Sequence, residues 1–262
     1  MRKIILAAAI LISLAFIQAE KYYVTFIKGS VIVQSSGKAV KVGDALLLTD
    51  KLVFKDADAR LTCISPGKGR FNISSGQSKA TGGELMAVLK TLMVPAASNQ
   101  RLSTRSMPLY EYDPKTYFRA TETRERVLLI KDQAFPVLSS YITDESNYFF
   151  IQYKMDDKTV TKKIKHNGTG LIFTDELFTD LVYATTKVKL GYQTNNQGTS
   201  HTAVLATFIP VPASKNEVKE QIRLITSQSG LSDQKAINNE IMAHLYENYG
   251  KIGAEELLLL IE

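Results

Sequence analysis

Two stretches of this chain are cut into short apolar runs by turn residues, and that punctuation constrains the fold more than any other feature. In the first stretch, Tyr22 to Ile27 and Ser30 to Gln34 are rich in β-branched and aromatic residues and flank Lys28-Gly29. Ser35-Ser36-Gly37-Lys38 and Lys41-Val42-Gly43-Asp44 read as turns. Leu46 to Phe54, Ala59 to Ile64 and Arg70 to Ser74 follow, separated by Lys55-Asp56-Ala57-Asp58 and Pro66-Gly67-Lys68-Gly69. Strands at this spacing, each bounded by turn residues, predict a small sandwich or barrel over residues 20–75.

The second stretch, 126–212, repeats the punctuation with longer runs. Arg126 to Lys131, Asn147 to Met155, Thr159 to Lys165, Gly170 to Thr174, Val182 to Tyr192 and Thr202 to Ile209 are strand candidates. Asp156-Asp157-Lys158 reads as a tight hairpin, and Thr194 to Gly198 joins two longer strands. That many strands in that length suit an immunoglobulin-like β-sandwich in architecture, without the Cys–Trp–Cys core of antibody domains. Between the two stretches, residues 76–125 carry one helix and a linker. Leu85, Val88, Leu89 and Leu92 form a helical face within Glu84 to Val94, which Pro95 stops. Ala96 to Glu125 lacks firm periodicity, but Tyr110, Tyr112, Tyr117 and Phe118 favour wrapping over a neighbour rather than free disorder.

Residues 213–262 read as C-terminal helices. Ser214-x-x-Glu217 is a capping box, Gly230 ends the first helix, Ser232 can cap a second that closes at Gly250, and Ala254 to Ile261 is a third. The expected fold is therefore mainly β with helical additions.

Within the first stretch, the order Gly29-x-Val31-x-Val33, Gly37-Lys38, Val42-Gly43-Asp44-x-Leu46, Thr49-Asp50-x-Leu52 and Ala59-x-Leu61 resembles the FecR-like periplasmic β-domain over about residues 22–74. In that family a paired Gly-Asp … Asp segment turns between strands. Thr49 departs from the pattern, standing where the family often has a second glycine. The resemblance implies a secreted β-module of a cell envelope. The family's sigma-factor regulation is not carried over, because here the domain is expected to follow a signal peptide directly rather than a cytoplasmic segment and a membrane span.

The start of the chain points to the same compartment. Met1-Arg2-Lys3 is basic, Ile4 to Ile17 is a fourteen-residue uncharged run, and Gln18-Ala19-Glu20 offers a small residue for cleavage. That is the layout of a signal peptide over residues 1–19, and the run is shorter than the roughly 18 apolar residues of a membrane span. The expectation is an exported protein, periplasmic or extracellular, with no transmembrane span after cleavage. Losing Arg2 and Lys3 lowers the formal charge from +6 to +4. So small an excess does not suggest nucleic acid, which favours a concentrated basic face.

Composition weighs against several chemistries. One Cys and three His leave no material for a disulfide framework or a Cys-rich zinc site. Cys63 alternates with Leu61 and reads as a buried small hydrophobe. His166, His201 and His244 are scattered and read as surface or edge residues. Ser35-Ser36-Gly37-Lys38 and Ser65-Pro66-Gly67-Lys68 have the spacing of a penicillin-interacting nucleophile and lysine, but both lie in glycine turns and lack the companion motifs. The acidic pairs Asp56/Asp58, Asp144/Glu145, Asp156/Asp157 and Asp175/Glu176 lie in turns, where Asp is favoured for conformational reasons.

One concentration of charge stands out. Lys154, Lys158, Lys162, Lys163 and Lys165, with His166, gather on one hairpin. They read as an edge guarded against strand pairing, or as an anion- or partner-binding face for another envelope protein or an acidic glycan. Tyr148, Phe149, Phe150 and Tyr153 beside them should alternate between core and exposed face. No catalytic, cofactor-binding or metal-binding set assembles. The reading is a non-catalytic binding or scaffold protein of a bacterial envelope, needing no cofactor. Its alternatives are a carboxylate-dependent hydrolase of envelope polymers, using Asp156/Asp157 with Asp175/Glu176, and an envelope sensor component. The sequence is silent on oligomeric state.

Overall fold

The structure, a computed structural model, describes residues 20–92, 113–119, 125–168, 170–179, 181, 185–253, 257 and 260. The signal-peptide expectation for residues 1–19, Tyr110 and Tyr112, and most of the third C-terminal helix lie outside those residues. Strands dominate, with several sheets and a few helices. The chain forms two compact units, Met1–Asn99 with Leu224–Ser232, and Gln100–Arg223 with Asp233–Glu262.

The first unit holds β1 (Lys21–Lys28), β2 (Val31–Val33), β3 (Ala45–Leu47), β4 (Leu52–Phe54), β5 (Arg60–Ser65) and β6 (Gly69–Ser74). Four of them make a sheet in the order β3-β1-β5-β6, and β2 pairs with β4. The run Leu46 to Phe54 was expected as one strand and is two, in different sheets. Asp50 causes the break: its carboxylate accepts from the Leu47 amide at 2.8 Å, and its own amide donates back to the Leu47 carbonyl. The polar stretch after β6 forms helix α1 (Ser75–Ala80). Ser74 and Gln77 close a reciprocal capping box there, satisfying two otherwise orphaned donors. Helix α2 (Leu85–Leu92) follows, and its expected face buries Leu85, Val88 and Leu89 in an aliphatic core with Val24, Leu46, Leu61 and Ile73.

Cys63 lies in that core, fully buried beside Leu61. Burial pushes its thiol up to about 12.

The second unit opens with α3 (Pro114–Tyr117), a single turn capped by Asp113. It is followed by β7 (Arg126–Ile130), β8 (Ala134–Pro136), β9 (Tyr148–Met155), β10 (Lys158–Lys163), β11 (Lys165–His166), β12 (Gly170–Ile172), β13 (Val188–Asn196) and β14 (Thr199–Ala213). One sheet has the order β10-β9-β13-β14-β7, the other β11-β12-β8. The run Thr159 to Lys165 was expected as one strand. It divides between the two sheets at Ile164, a buried residue of the shared core. β8 was not foreseen, and among the described residues of Val182 to Tyr192 the strand begins at Val188. Tyr117 and Phe118 insert into the core, where Phe118 meets Tyr117, Phe135, Phe173 and Phe208 at centroid distances of 4.8–5.8 Å.

The two edges of the five-stranded sheet differ. On β7, the Lys251 amide donates to the Arg126 carbonyl and the Leu128 amide donates to the Lys251 carbonyl, so a passing segment covers that edge. Among the described residues β10 pairs with β9 alone.

Helices α4 (Lys215–Gln228) and α5 (Gln234–Tyr249) complete the chain's described elements, and Leu257 and Leu260 beyond them are helical and buried. Ser214 does accept from the Glu217 amide, but Glu217 spends its carboxylate on the Tyr249 hydroxyl rather than on the cap. The second cap is Asp233, which accepts from the Ala236 amide at 2.8 Å, and not Ser232. Gly250 closes α5 at φ 104°, ψ −152°, a conformation open to glycine. A β-carbon there would stand 2.4 Å from the Arg126 carbonyl oxygen.

Candidate functional site

The lysine-bearing hairpin follows from its turn. Asp156 adopts a left-handed conformation (φ 53°), which Asp tolerates better than most residues, so two residues suffice to reverse the chain. Met155 then faces Lys158, Tyr153 faces Val160, Ile151 faces Lys162 and Phe150 faces Lys163. This register decides where each ammonium can go.

Lys158, Val160 and Lys162 share a side with Tyr153 and Ile151, which are core residues. Val160 packs on the core, and Lys162 runs its stem over it. The Lys162 ammonium then donates to the Glu176 carbonyl at 2.7 Å, 5.9 Å from the Tyr153 ring centroid. Lys154, Thr159, Thr161 and Lys163 project from the opposite, outer side. The Lys163 ammonium lies 4.3 Å from the Tyr148 ring centroid and donates to the Asp144 and Glu145 carbonyls. Lys165 belongs to the other sheet and pairs with Glu176 at 3.0 Å. The five lysines are therefore not brought together as one face. Three have intramolecular partners, whereas among the described residues no carboxylate pairs with the exposed Lys154 or Lys158.

Register also adds a cation that the sequence reading missed. Lys189 on β13 stands opposite Gln152, whose amide donates to the Thr161 hydroxyl, so Lys189 joins Lys154 and Lys163 on the outer side. Alternation in Val188-Lys189-Leu190 showed that Lys189 leaves the core, but not which strand lies beside it. Phe150 corrects another expectation. It has the outer parity yet is buried, because its ring occupies the space over Gly191, where a β-carbon would lie 2.1 Å from the ring tip.

The turn carboxylates are engaged locally. Asp56 accepts from the Ser30 amide, and Asp58 pairs with Lys28, which holds its carboxyl below the usual range. Asp144 accepts from the Asn147 side chain and from the Asn147 and Ser146 amides, which lower it likewise. Asp175 pairs with Lys131 at 3.0 Å, and Glu176 with Lys165. Asp156 and Asp157 are exposed at the hairpin tip. Among the described residues, no three His, Cys, Asp or Glu side chains could hold a metal ion, and no helix is long and apolar enough to cross a membrane. A small pocket is lined by Leu129, Ile130, Gln133, Ala134, Phe135 and Phe173, and carries no acid or base.

His201 is exposed on β14 and His166 lies on β11 rather than in a turn. His244, expected at the surface, is fully buried. The Gln221 oxygen only accepts, so the His244 Nε2 at 2.9 Å carries the proton and Nδ1 accepts from the Asn248 amide. Gln221 in turn donates to the Tyr249 hydroxyl, which donates to Glu217. This directed chain ties α4 to α5 without reaching a cleft. Spacing of four residues along α5 signalled a buried stripe, and His244 beside Leu245 belonged to it.

No protein-family model matches the chain, and no curated protein and no solved structure matches it.

Proposed function

We propose that this is an exported, non-catalytic binding or scaffold protein of a bacterial cell envelope, whose second unit meets an acidic partner at the β9–β10 hairpin. The carrying observation is the pair Lys154 and Lys158, exposed and without carboxylate partners among the described residues, while Lys162 and Lys163 donate to backbone carbonyls and Lys165 pairs with Glu176. The leader-like start of the chain supports export. In the first unit, Asp44 accepts from the Lys41 amide and Asp50 from the Leu47 amide. Those two turns support reading it as a FecR-like β-domain, since they stand where that family's paired acidic turns stand.

In the second unit, facing sheets ordered β10-β9-β13-β14-β7 and β11-β12-β8 support an immunoglobulin-like sandwich. The turn carboxylates favour binding over hydrolysis, because Asp175 and Glu176 are each held by a lysine.

Expression in a bacterial host followed by fractionation and N-terminal mass spectrometry tests export. A periplasmic or secreted protein beginning near Glu20 is expected, and a cytoplasmic protein retaining Met1 would overturn it. Binding is tested by quantitative recovery of partners from envelope extracts. Lys154→Glu/Lys158→Glu should lose the specific species that the native protein retains, and equal recovery by both would remove the hairpin from the reading.

A further inference from the structure

The open edge of β10 has a defined chemistry. In a hairpin with a two-residue turn, the residues flanking the turn exchange both backbone hydrogen bonds, and every second pair beyond them does the same. Met155/Lys158, Tyr153/Val160 and Ile151/Lys162 are those pairs. The bond from the Ile164 amide to the Phe149 carbonyl, 2.8 Å, continues the series and fixes its parity. The backbone N–H and C=O groups of Thr159, Thr161 and Lys163 therefore point away from β9. Among the described residues no strand receives them.

Lysines predominate among the side chains around that edge, with Asp144 near Lys163 and Glu176 near Lys162. Lys158 and Lys162 flank it on the core side, Lys154 and Lys163 on the outer side, and the threonines between them are β-branched and small. The acids Asp156 and Asp157 are confined to the tip. A second copy of β10 would set lysine against lysine, so self-pairing is disfavoured. An extended segment with carboxylates at alternate positions would meet ammoniums on whichever face it turned.

Resting on the binding role proposed above, we infer that β10 accepts an extended acidic segment of a partner protein as a sixth strand. Backbone groups of Thr159, Thr161 and Lys163 supply the pairing, and the lysines select charge.

The test uses the full chain and a fluorescent octapeptide alternating Glu and Thr, with binding followed by anisotropy and amide exchange. On binding, exchange should slow at Thr159, Thr161 and Lys163 and stay unchanged at Val160 and Lys162. Thr161→Pro removes an N–H that β9 does not use, and proline is tolerated on such an edge. It should weaken peptide binding at least tenfold with an unchanged circular dichroism spectrum, while Thr161→Val binds within twofold of the native chain. Lys154→Glu/Lys158→Glu should weaken the acidic peptide several-fold and improve binding of a Lys/Thr octapeptide. If Thr161→Pro binds as tightly as Thr161→Val, strand addition is overturned. Retained binding of both the peptide and alginate would then leave a simple anion face standing. If neither the peptide nor alginate binds at low ionic strength, the anion-binding role fails as well.

Discussion

The two units solve the same problem with different materials. The first is closed mostly with aliphatic side chains on short strands, with Tyr22, Phe54 and Phe71 among them, and its elements exchange buried polar hydrogen bonds. Thr25 donates to the Thr62 carbonyl, Thr62 to Asn72, and Ser78 to the Leu52 carbonyl. The second is closed by rings in edge and tilted contact, a geometry worth roughly 0.5–1.5 kcal/mol per pair beyond the area buried. It adds a buried polar chain through α4 and α5. Both units have edge strands, and β10 is set apart by its charge, with no carboxylate partner for Lys154 or Lys158 among the described residues. The unit that leaves that edge and two lysines unspent is where a partner is expected.

The largest expected break in this contrast is Phe118→Ala. It removes four ring contacts and should cost about 3–5 kcal/mol. The loss should appear as an earlier urea midpoint in the near-ultraviolet dichroism, to which the ring cluster contributes. Leu61→Ala should instead advance the labelling of Cys63 by a thiol reagent, with the ring signal moved less. Coincident shifts for both variants would show that the units unfold as one.

Gln221→Leu should come next. It removes the Gln221 acceptor from the His244 Nε2–H, at roughly 1–3 kcal/mol, and the amide donor from the Tyr249 hydroxyl, which still donates to Glu217. Thermal unfolding would register it, and an unchanged midpoint would show that water replaces the amide.

Alkali should separate the units by titration. Cys63 ionises near 9.0 when exposed and is pushed up to about 12 when folded, so above pH 9 the unfolded state holds fewer protons. Stability of the first unit should then fall by about 1.4 kcal/mol per pH unit between 9 and 12. Tyr22, raised by burial and by Glu20, steepens the loss above pH 10. Cys63→Ala should flatten the slope between pH 9 and 10, and a slope that persists there would assign it elsewhere. The smallest expected effect is Lys154→Glu, within about 0.5 kcal/mol on stability, so any binding defect it shows is not a folding defect.

Legibility in the sequence followed the range of the forces involved. Turns were readable because Gly, Pro and Asp act over a few residues, and so was Cys63, whose alternation with Leu61 is local. Asp50 splitting one apolar run was missed, since a carboxylate capping its own turn looks like any polar residue between hydrophobes. His244 was misplaced because its partner Gln221 lies on another helix. Four of the five lysines lie on the β9–β10 hairpin, while Lys165 falls in the other sheet. A strand sends neighbours to opposite sides, and only register reveals that Lys162 and Lys163 part company while Lys189 arrives from β13. The open edge of β10 was legible as a lysine-guarded edge, whereas the direction of its free amides needed the hydrogen-bond parity.

One further property follows from β14. Its first half zips against the preceding strand, but its second half pairs in parallel with β7, joining Ile209 to Arg126. Contacts so distant along the chain form late, after a large loss of chain entropy. Stopped-flow refolding should show the ring signal recovering more slowly than protection of Cys63, and simultaneous recovery would refute this order. Were the chain exported as proposed, a sheet that seals only when its last strand arrives would keep the polypeptide pliable during translocation.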